Sequence, residues 1–238
     1  MSTETNFAAE AAHQALSGPD LSHINAWIFD LDHTLYVMDR ARHRYVEERI
    51  CLFVQKHFAI AREPAWDIQK RYLREYGSTL GGLVARHGVD ADAYHDFVND
   101  IDALALKPDP ALRGALVRLP GRRFVFTNNC GRFARTVLER IAIADLFSDI
   151  VDARAMNFIP KPRPDAYHCL LERCAVAPGR AALFDDSARN LVPARALGMT
   201  TVWFNNGEGQ SHWTIEDAEL HIDHQTSDLV AFLQSIRV

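Results

Sequence analysis

No stretch of this sequence approaches the roughly 20 consecutive apolar residues that a membrane-spanning helix requires, so a helical membrane protein is not expected. Cysteine is scarce and scattered. There are four, Cys51, Cys130, Cys169 and Cys174, with no C-x-x-C pair and no zinc spacing. Neither a disulfide framework nor a structural zinc site is therefore expected, and reduced, mostly core-filling thiols are. Positive charge is also short. Lysine and arginine number 26 against 31 aspartates and glutamates, a net charge of −5, so no global basic field invites a nucleic-acid polymer. The opening residues MSTETNFAAEAAHQALSGPD have neither a basic start nor a long apolar segment, unlike a secretory signal. A cytoplasmic, soluble protein is expected, with neither membranes nor nucleic-acid polymers as partners.

What is present is ordinary in bulk and specific in arrangement. A chain of 238 residues with 48% hydrophobic and 24% charged residues can bury a sizeable core. Residues 1–22 read as a polar extension, with a short helix before Gly18-Pro19. The segment HINAWIF, residues 23–29, reads as a buried strand: short, apolar and bounded by polar residues. Between about 37 and 105 the pattern is helical throughout. YVEERICLFVQKHF sets Val46, Ile50, Phe53 and His57 on one helical face. PAWDIQKRYLREYG, the glycine-punctuated GSTLGGLVARHG and DAYHDFVNDIDALAL supply the other helical pieces.

From 106 onward strands and helices alternate. Asp109 is a plausible N-cap with Pro110 at the first helical position. RRFVFTNN, SDIVDA, AALFDD and TTVWF read as strands separated by helices, with ELHID (219–223) as a further edge strand before a last helix, SDLVAFLQSI. Such alternation predicts an α/β fold with a doubly wound parallel sheet covered on both faces. The core would comprise 23–36 and 106–238, and the all-helical block 37–105 would be a cap inserted after the first strand.

In open α/β sheets ligands bind outside the carboxyl ends of the strands. Asp30 and Asp32 follow the first strand, Thr127, Asn128 and Asn129 follow FVF, Asp185 and Asp186 end AALF, and the loop after DIVDA leads to IPKPRPDAY with Lys161. Each taken alone has an uneventful reading: aspartates that cap a turn, a strand threonine, a surface lysine. Their joint position is what matters. Four clustered carboxylates cannot stay ionised together without a cation. Oxygen donors suit a hard ion such as Mg²⁺, completed by water and a substrate phosphate. Lys161, Thr127 and the amides that open the helix near 131 would then meet a phosphate anion.

FDLDHTLY, FTNN, IPKPRPDAY and FDDSARNL resemble, in order and spacing, the four motifs of the haloacid dehalogenase superfamily of phosphohydrolases. The resemblance spans about residues 24–205, and DLDHTLY, YGSTLGGL and KPDP look like its pyrimidine 5′-nucleotidase branch, which carries a helical cap. The resemblance implies an aspartyl-phosphate mechanism: Asp30 as nucleophile, and Asp32 as acid toward the leaving alkoxide and base toward water. It further implies phosphoryl binding by Thr127, Lys161 and the Asn128 backbone N–H. Mg²⁺ would be held by the Asp30 carboxylate, the Asp32 carbonyl and Asp186, with Asp185 direct or through water. True dehalogenases of the superfamily lack the second acid, so Asp32 argues for phosphate chemistry.

The expected substrate is a small phosphorylated compound, a pyrimidine nucleoside 5′-monophosphate ahead of a sugar phosphate or phosphoglycolate. A non-catalytic binding protein on the same fold is the remaining alternative. In the cap, Tyr76, Ser78 and Thr79, beside Gly77 and Gly81-Gly82, are candidates for contacts to sugar or base. His33 reads as a loop residue, and His43, His57 and His168 as surface or partly packed side chains. Cys130, beside the phosphate loop, is read as a packed thiol in preference to a reactive one.

Overall fold

The computed structural model describes residues 18–100, 102, 105–205 and 221–238. Its sheet has six parallel strands in the order β3-β2-β1-β4-β5-β6. These are β1 (Ala26–Phe29), β2 (Arg122–Phe126), β3 (Asp149–Val151), β4 (Ala181–Asp185), β5 (Thr200–Phe204) and β6 (His224–Thr226). Nine α-helices occur among the described residues: α1 (Arg40–Phe58), α2 (Arg62–Tyr76), α3 (Thr79–His87), α4 (Ala91–Val98), α5 (Pro110–Val117), α6 (Gly131–Arg140), α7 (Pro164–Cys174), α8 (Ala188–Ala196) and α9 (Leu229–Ser235).

The central strands β1 and β4 are buried on both sides, as a covered parallel sheet requires. Because side chains alternate along a strand, Trp27 and Phe29 of β1 enter one core with Val125 and Phe184, while Ala26 and Ile28 enter the other with Phe124 and Leu183. The first core is closed by α5, α6 and α9 through Leu116, Val137 and Leu233. The second is closed by α7 and α8 through Tyr167, Leu170 and Leu191. A third cluster, around Cys51, Val54, Tyr72, Leu83 and Tyr94, holds α1–α4 together between β1 and α5. In α1 the deepest residues are Cys51 and Val54, flanked by partly buried Val46, Ile50 and Phe53, whereas His57 is exposed.

Local chemistry sets several boundaries. Asp109 caps α5 by accepting from Leu112 N at 2.9 Å, with Pro110 at the helix start. Ser78 caps α3 by accepting from Gly81 N at 2.9 Å. α4 stops at Asn99, well short of the helix expected to 106, because Asn99 turns extended and its side-chain amide donates to Asn129 Oδ1 of the core at 2.9 Å. The last strand lies at 224–226, beyond ELHID. There Asp223 accepts from Thr201 N at 2.9 Å and Thr201 Oγ1 donates to His221 O at 2.8 Å, beside a single backbone bond from Asp223 N–H to Thr201 O at 3.2 Å. Glu219 and Leu220 lie outside the described residues, as does the helix expected before Gly18. Residues 18–22 run beside the C-terminal segment: Leu21 is buried and its N–H donates to Arg237 O at 2.9 Å. Among the described residues no helix is long and apolar enough to cross a membrane.

Candidate active site

β1 is central, and its carboxyl end delivers Asp30 into the gap between the ends of β2 and β4. Asp30 N–H donates to Phe184 O at 2.8 Å, which ties the first residue beyond the strand to β4. Lys161 is 1% exposed and reaches up beneath this point. Its Nζ lies 2.7 Å from Asp30 Oδ1 and 2.7 Å from Asp185 Oδ2. Burial opposes the ammonium charge, but Asp185 and Asp30 outweigh it and hold the Lys161 pKa above its ordinary value. Burial pushes the Asp30 carboxyl up to about 7; Lys161 works against this, and Asp185 and Asp32 add to it. Asp186 is raised well above the carboxylate range by burial, then by Asp185 and Asp30.

Oxygens of Asp30, Asp185 and Asp186 all lie within 4.8 Å of one another. Three carboxylates against one ammonium leave negative charge that a small divalent cation neutralises, and the donors are all hard oxygens, so the group fits Mg²⁺. The carboxylates differ in how much of their capacity is spent. Asp185 accepts from Lys161, from Ser187 N at 2.9 Å and from Asn190 Nδ2 at 2.9 and 3.1 Å. The α8 start is accordingly organised by Asp185, and Ser187 makes no side-chain cap.

The loop after β2 is folded around Thr127, whose side chain accepts from Asn129 N at 3.0 Å and whose own N–H is fixed to Val151 O of β3 at 3.0 Å. Asn128 forms a two-point clasp with the lysine loop: its Nδ2 donates to Lys161 O at 3.2 Å and its Oδ1 accepts from Lys161 N at 2.8 Å. Thr127, Asn128 and Lys161 are thus brought together, and the side chain of Asn128 positions the lysine. The amides expected to open α6 toward an anion are already engaged. Cys130 N–H donates to Asn129 Oδ1 at 2.9 Å, and Gly131 N–H donates to Asp152 Oδ2 at 2.7 Å. Burial pushes the Cys130 thiol up, which makes it a packed thiol.

Asp32 stands apart from this carboxylate cluster and faces a cleft of about 360 Å³ between core and cap. Its Oδ1 accepts from Tyr36 OH, and Asn129 Nδ2 lies 3.4 Å from its Oδ2. Burial, then Asp32, raise the Tyr36 phenol well above its usual range, so it remains a donor that fixes the carboxylate rotamer. The role of Tyr36 was not read from the sequence, although DLDHTLY contains it. His33 adds a second link: its Nε2 is 3.0 Å from Nδ1 of His43 at the start of α1.

Of the cap candidates, Ser78 and Thr79 line the cleft and Tyr76 does not. The two hydroxyls have structural work: Ser78 is the α3 cap, and Thr79 Oγ1 donates to Gln69 O at 3.2 Å. Tyr76 accepts from Arg86 at 3.3 Å and packs edge-on against Tyr72. Of the glycines beside them, Gly77 and Gly81 serve close approach to the core, and Gly82 packs on the Tyr72 ring within the cap. A Cβ at Gly77, whose φ is +80°, would lie 2.5 Å from Lys161 O, and one at Gly81 would lie 3.1 Å from the Pro160 ring. The YGSTLGGL segment therefore packs on the loop that carries the buried lysine; the Lys161–Pro162 peptide is cis. Ion pairs Arg132–Asp96 and Arg154–Asp92 also join core to cap.

A family model described as haloacid dehalogenase-like hydrolase matches residues 24–198. The Phosphate metabolism protein 8 of Saccharomyces cerevisiae is 26% identical over 215 residues, which cover 84% of this chain and 66% of that protein. Among solved structures, a HAD phosphatase from Thermococcus onnurineus superposes with a TM-score of 0.55 at 18% identity, over 90% of this chain and 100% of that one. The L-2-haloacid dehalogenase of Xanthobacter autotrophicus gives 0.54 at 16% identity, over 89% and 97%. Likeness to a phosphatase and to a dehalogenase is equal in degree, so the shared fold leaves the choice of chemistry to the site residues.

Proposed function

This chain belongs to the haloacid dehalogenase-like hydrolases, and from that premise we propose that it is a Mg²⁺-dependent phosphomonoester hydrolase acting on pyrimidine nucleoside 5′-monophosphates. The observation that carries the phosphatase reading is the pairing of a buried Asp30–Lys161–Asp185 ion array with a second acid, Asp32, at the edge of an adjoining cleft. Asp30 is the nucleophile. Its carboxylate oxygen attacks phosphorus in line, the bond from phosphorus to the ester oxygen breaks, and a protonated Asp32 gives its proton to the departing alkoxide. Asp32, now a carboxylate, then takes a proton from water. The resulting attack on the aspartyl-phosphate frees orthophosphate and restores Asp30.

Lys161 and the Thr127 hydroxyl oppose the charge of the transferring phosphoryl oxygens. Asn128 holds Lys161 in register for this, and Tyr36 holds Asp32. Mg²⁺ would be held by Asp30, Asp186 and the Asp32 carbonyl, and when bound would supply charge neutralisation for the dianionic ester. Asp185, whose oxygens are already engaged by Lys161, Ser187 and Asn190, would contribute its charge to the site more than a free ligand oxygen.

The cleft supports a nucleotide in preference to a sugar phosphate. Its volume is at the lower end of the roughly 300–1,000 Å³ of small-molecule sites, and much of its wall is apolar, including Met38, Val46, Ile50, Leu73, Leu80 and Val98. A flat base would bury apolar faces against these side chains, faces that a sugar phosphate does not offer. The test is phosphate release from a panel of nucleoside monophosphates, sugar phosphates and phosphoglycolate, with Mg²⁺ and with chelator, using Asp30→Asn as blank. Metal-dependent preference for UMP and CMP is expected. Turnover led by a sugar phosphate would overturn the substrate, and no Asp30-dependent turnover of any ester would overturn the phosphatase.

A further inference from the structure

Two polar atoms on the cap side of the cleft have no role in the chemistry above. Gln69, on α2, is 3% exposed. Its Nε2 donates to Glu47 O at 3.3 Å, while its Oε1 has no hydrogen-bond partner. His95, on α4, is 5% exposed, and its Nε2 has no partner either. The tautomer is assigned from the contact of the other ring nitrogen. Nδ1 lies 3.5 Å from Asn99 Nδ2, an amide nitrogen that only donates, so Nδ1 accepts and the proton of the neutral ring is on Nε2. Burial keeps that ring neutral by lowering its pKa to about 4, against the opposing pull of Asp92.

A buried polar atom left without a partner costs on the order of 1–3 kcal/mol. Most such atoms in folded proteins are therefore satisfied, and those that are not call for an explanation. Here two side chains that line one substrate-sized cleft each carry such an atom, one an acceptor and one an N–H donor. Both side chains line the cleft together with Ser78 and Thr79, whose hydroxyls are spent on the cap and on Gln69 O. Around them Ile50, Leu73, Leu80 and Val98 offer only apolar contact. In such surroundings a ligand that satisfies both atoms is strongly preferred to one that leaves them bare.

We propose that Gln69 and His95 are the specificity-determining residues of this site, reading a leaving group that offers one hydrogen-bond donor to Gln69 Oε1 and one acceptor to His95 Nε2–H. The inference rests on the phosphatase reading and deepens it. A pyrimidine base has both kinds of group on its edge. Ribose 5-phosphate has the same phosphate and sugar but no base, and nitrophenyl phosphate carries no hydrogen-bond donor.

The experiment compares wild type with Gln69→Met and His95→Phe, which keep approximate size and remove the hydrogen-bonding atom. It measures kcat/KM for UMP, CMP, ribose 5-phosphate and p-nitrophenyl phosphate. Loss of one hydrogen bond predicts a fall of about tenfold with UMP and CMP in each variant, with the other two substrates held within about twofold. Equal falls across all four substrates, or an unchanged ratio of UMP to ribose 5-phosphate, would overturn the assignment. A second measurement needs no variant. Uridine should inhibit wild-type turnover of p-nitrophenyl phosphate at least about tenfold better than ribose, and equal inhibition overturns the proposal. Wild-type turnover of p-nitrophenyl phosphate that depends on Asp30 keeps the phosphatase reading in either case, so the two failures are distinct.

Discussion

Replacing Lys161 by methionine tests the electrostatic logic of the site most directly. Lys161 is the only buried lysine or arginine among the described residues, and its two 2.7 Å contacts are to carboxylates 9% and 0% exposed. Removing one partner of a buried ion pair costs about 3–5 kcal/mol, because a charge is left without compensation. For a chain of this length that corresponds to roughly 6–20 °C in Tm. The sign with pH follows from Asp30. Its carboxyl is already raised to about 7 with Lys161 opposing the rise, and without the lysine it is raised further. Below pH 7 Asp30 is protonated in both proteins, and its share of the difference vanishes. Above pH 7 the wild-type carboxyl ionises and the variant's does not, so the gap widens by about 1.4 kcal/mol per pH unit. Urea denaturation at pH 6.5 and pH 8, with and without millimolar Mg²⁺, reads both effects. The loss should be greater at pH 8, and Mg²⁺ should narrow it, because the folded cluster that has lost its ammonium binds the cation more tightly than the wild-type cluster. A loss below about 1 kcal/mol at pH 8, or one that grows as pH falls, would refute the reasoning.

Asp32→Asn should lower turnover of alkyl phosphates by about 10²–10⁴-fold while sparing p-nitrophenyl phosphate, whose phenolate leaves unprotonated; steady-state rates with equal losses would remove Asp32 as the acid. Gly77→Ala places a methyl 2.5 Å from Lys161 O at a φ of +80°, so the lysine loop must shift. A fall in kcat of at least about tenfold is expected from a misplaced Lys161, and an unchanged kcat in single-turnover assays would separate the cap contact from the chemistry. Arg132→Ala combined with Arg154→Ala removes two exposed links to Asp96 and Asp92 of the cap. KM should rise about two- to fivefold at low ionic strength and converge on the wild-type value in high salt, which a salt titration of initial rates would detect.

The sheet was legible because its residues obey short-range rules. Apolar runs such as AWIF and AALF, each followed by aspartate, mark the strands and their carboxyl ends at once, and the parallel order brings those ends together. The capping of α5 by Asp109 and of α3 by Ser78 is equally local. What resisted reading depends on partners distant in sequence. α4 ends early because Asn99 meets Asn129 across 30 positions. Gly131 N–H is taken by Asp152 from 21 positions away, which no helix-start rule reveals. In the sequence Tyr76, Ser78 and Thr79 are candidates for ligand contact beside the cap glycines, and the structural reason for Gly77 and Gly81 is the Lys161 loop some 80 residues further on. Gln69 and His95 escaped notice because a buried glutamine and a buried histidine on amphipathic helices look like any others until their unpartnered atoms are located.

The four aspartates make the same point within a single residue type. All sit at strand ends and all carry a carboxylate, yet their neighbours assign them different work. Asp30 has one oxygen on Lys161 and none of the turn-forming bonds, which leaves an oxygen for phosphorus. Asp185 has both oxygens occupied by Lys161, Ser187 and Asn190, and so acts as the counter-ion that keeps the lysine charged. The Asp186 backbone carbonyl is anchored by Trp203 Nε1 at 2.9 Å, while its side chain lies within reach of the other two metal-site carboxylates. Asp32 is turned to the cleft and gripped by Tyr36, the placement a proton donor to the leaving group requires. In the proposed mechanism nucleophile, acid, counter-ion and metal ligand are thus distinguished by hydrogen-bond saturation and by whether each lies in the buried cluster or on the cleft. It is the same environmental sorting by which two like carboxyl groups come to perform different steps of one reaction.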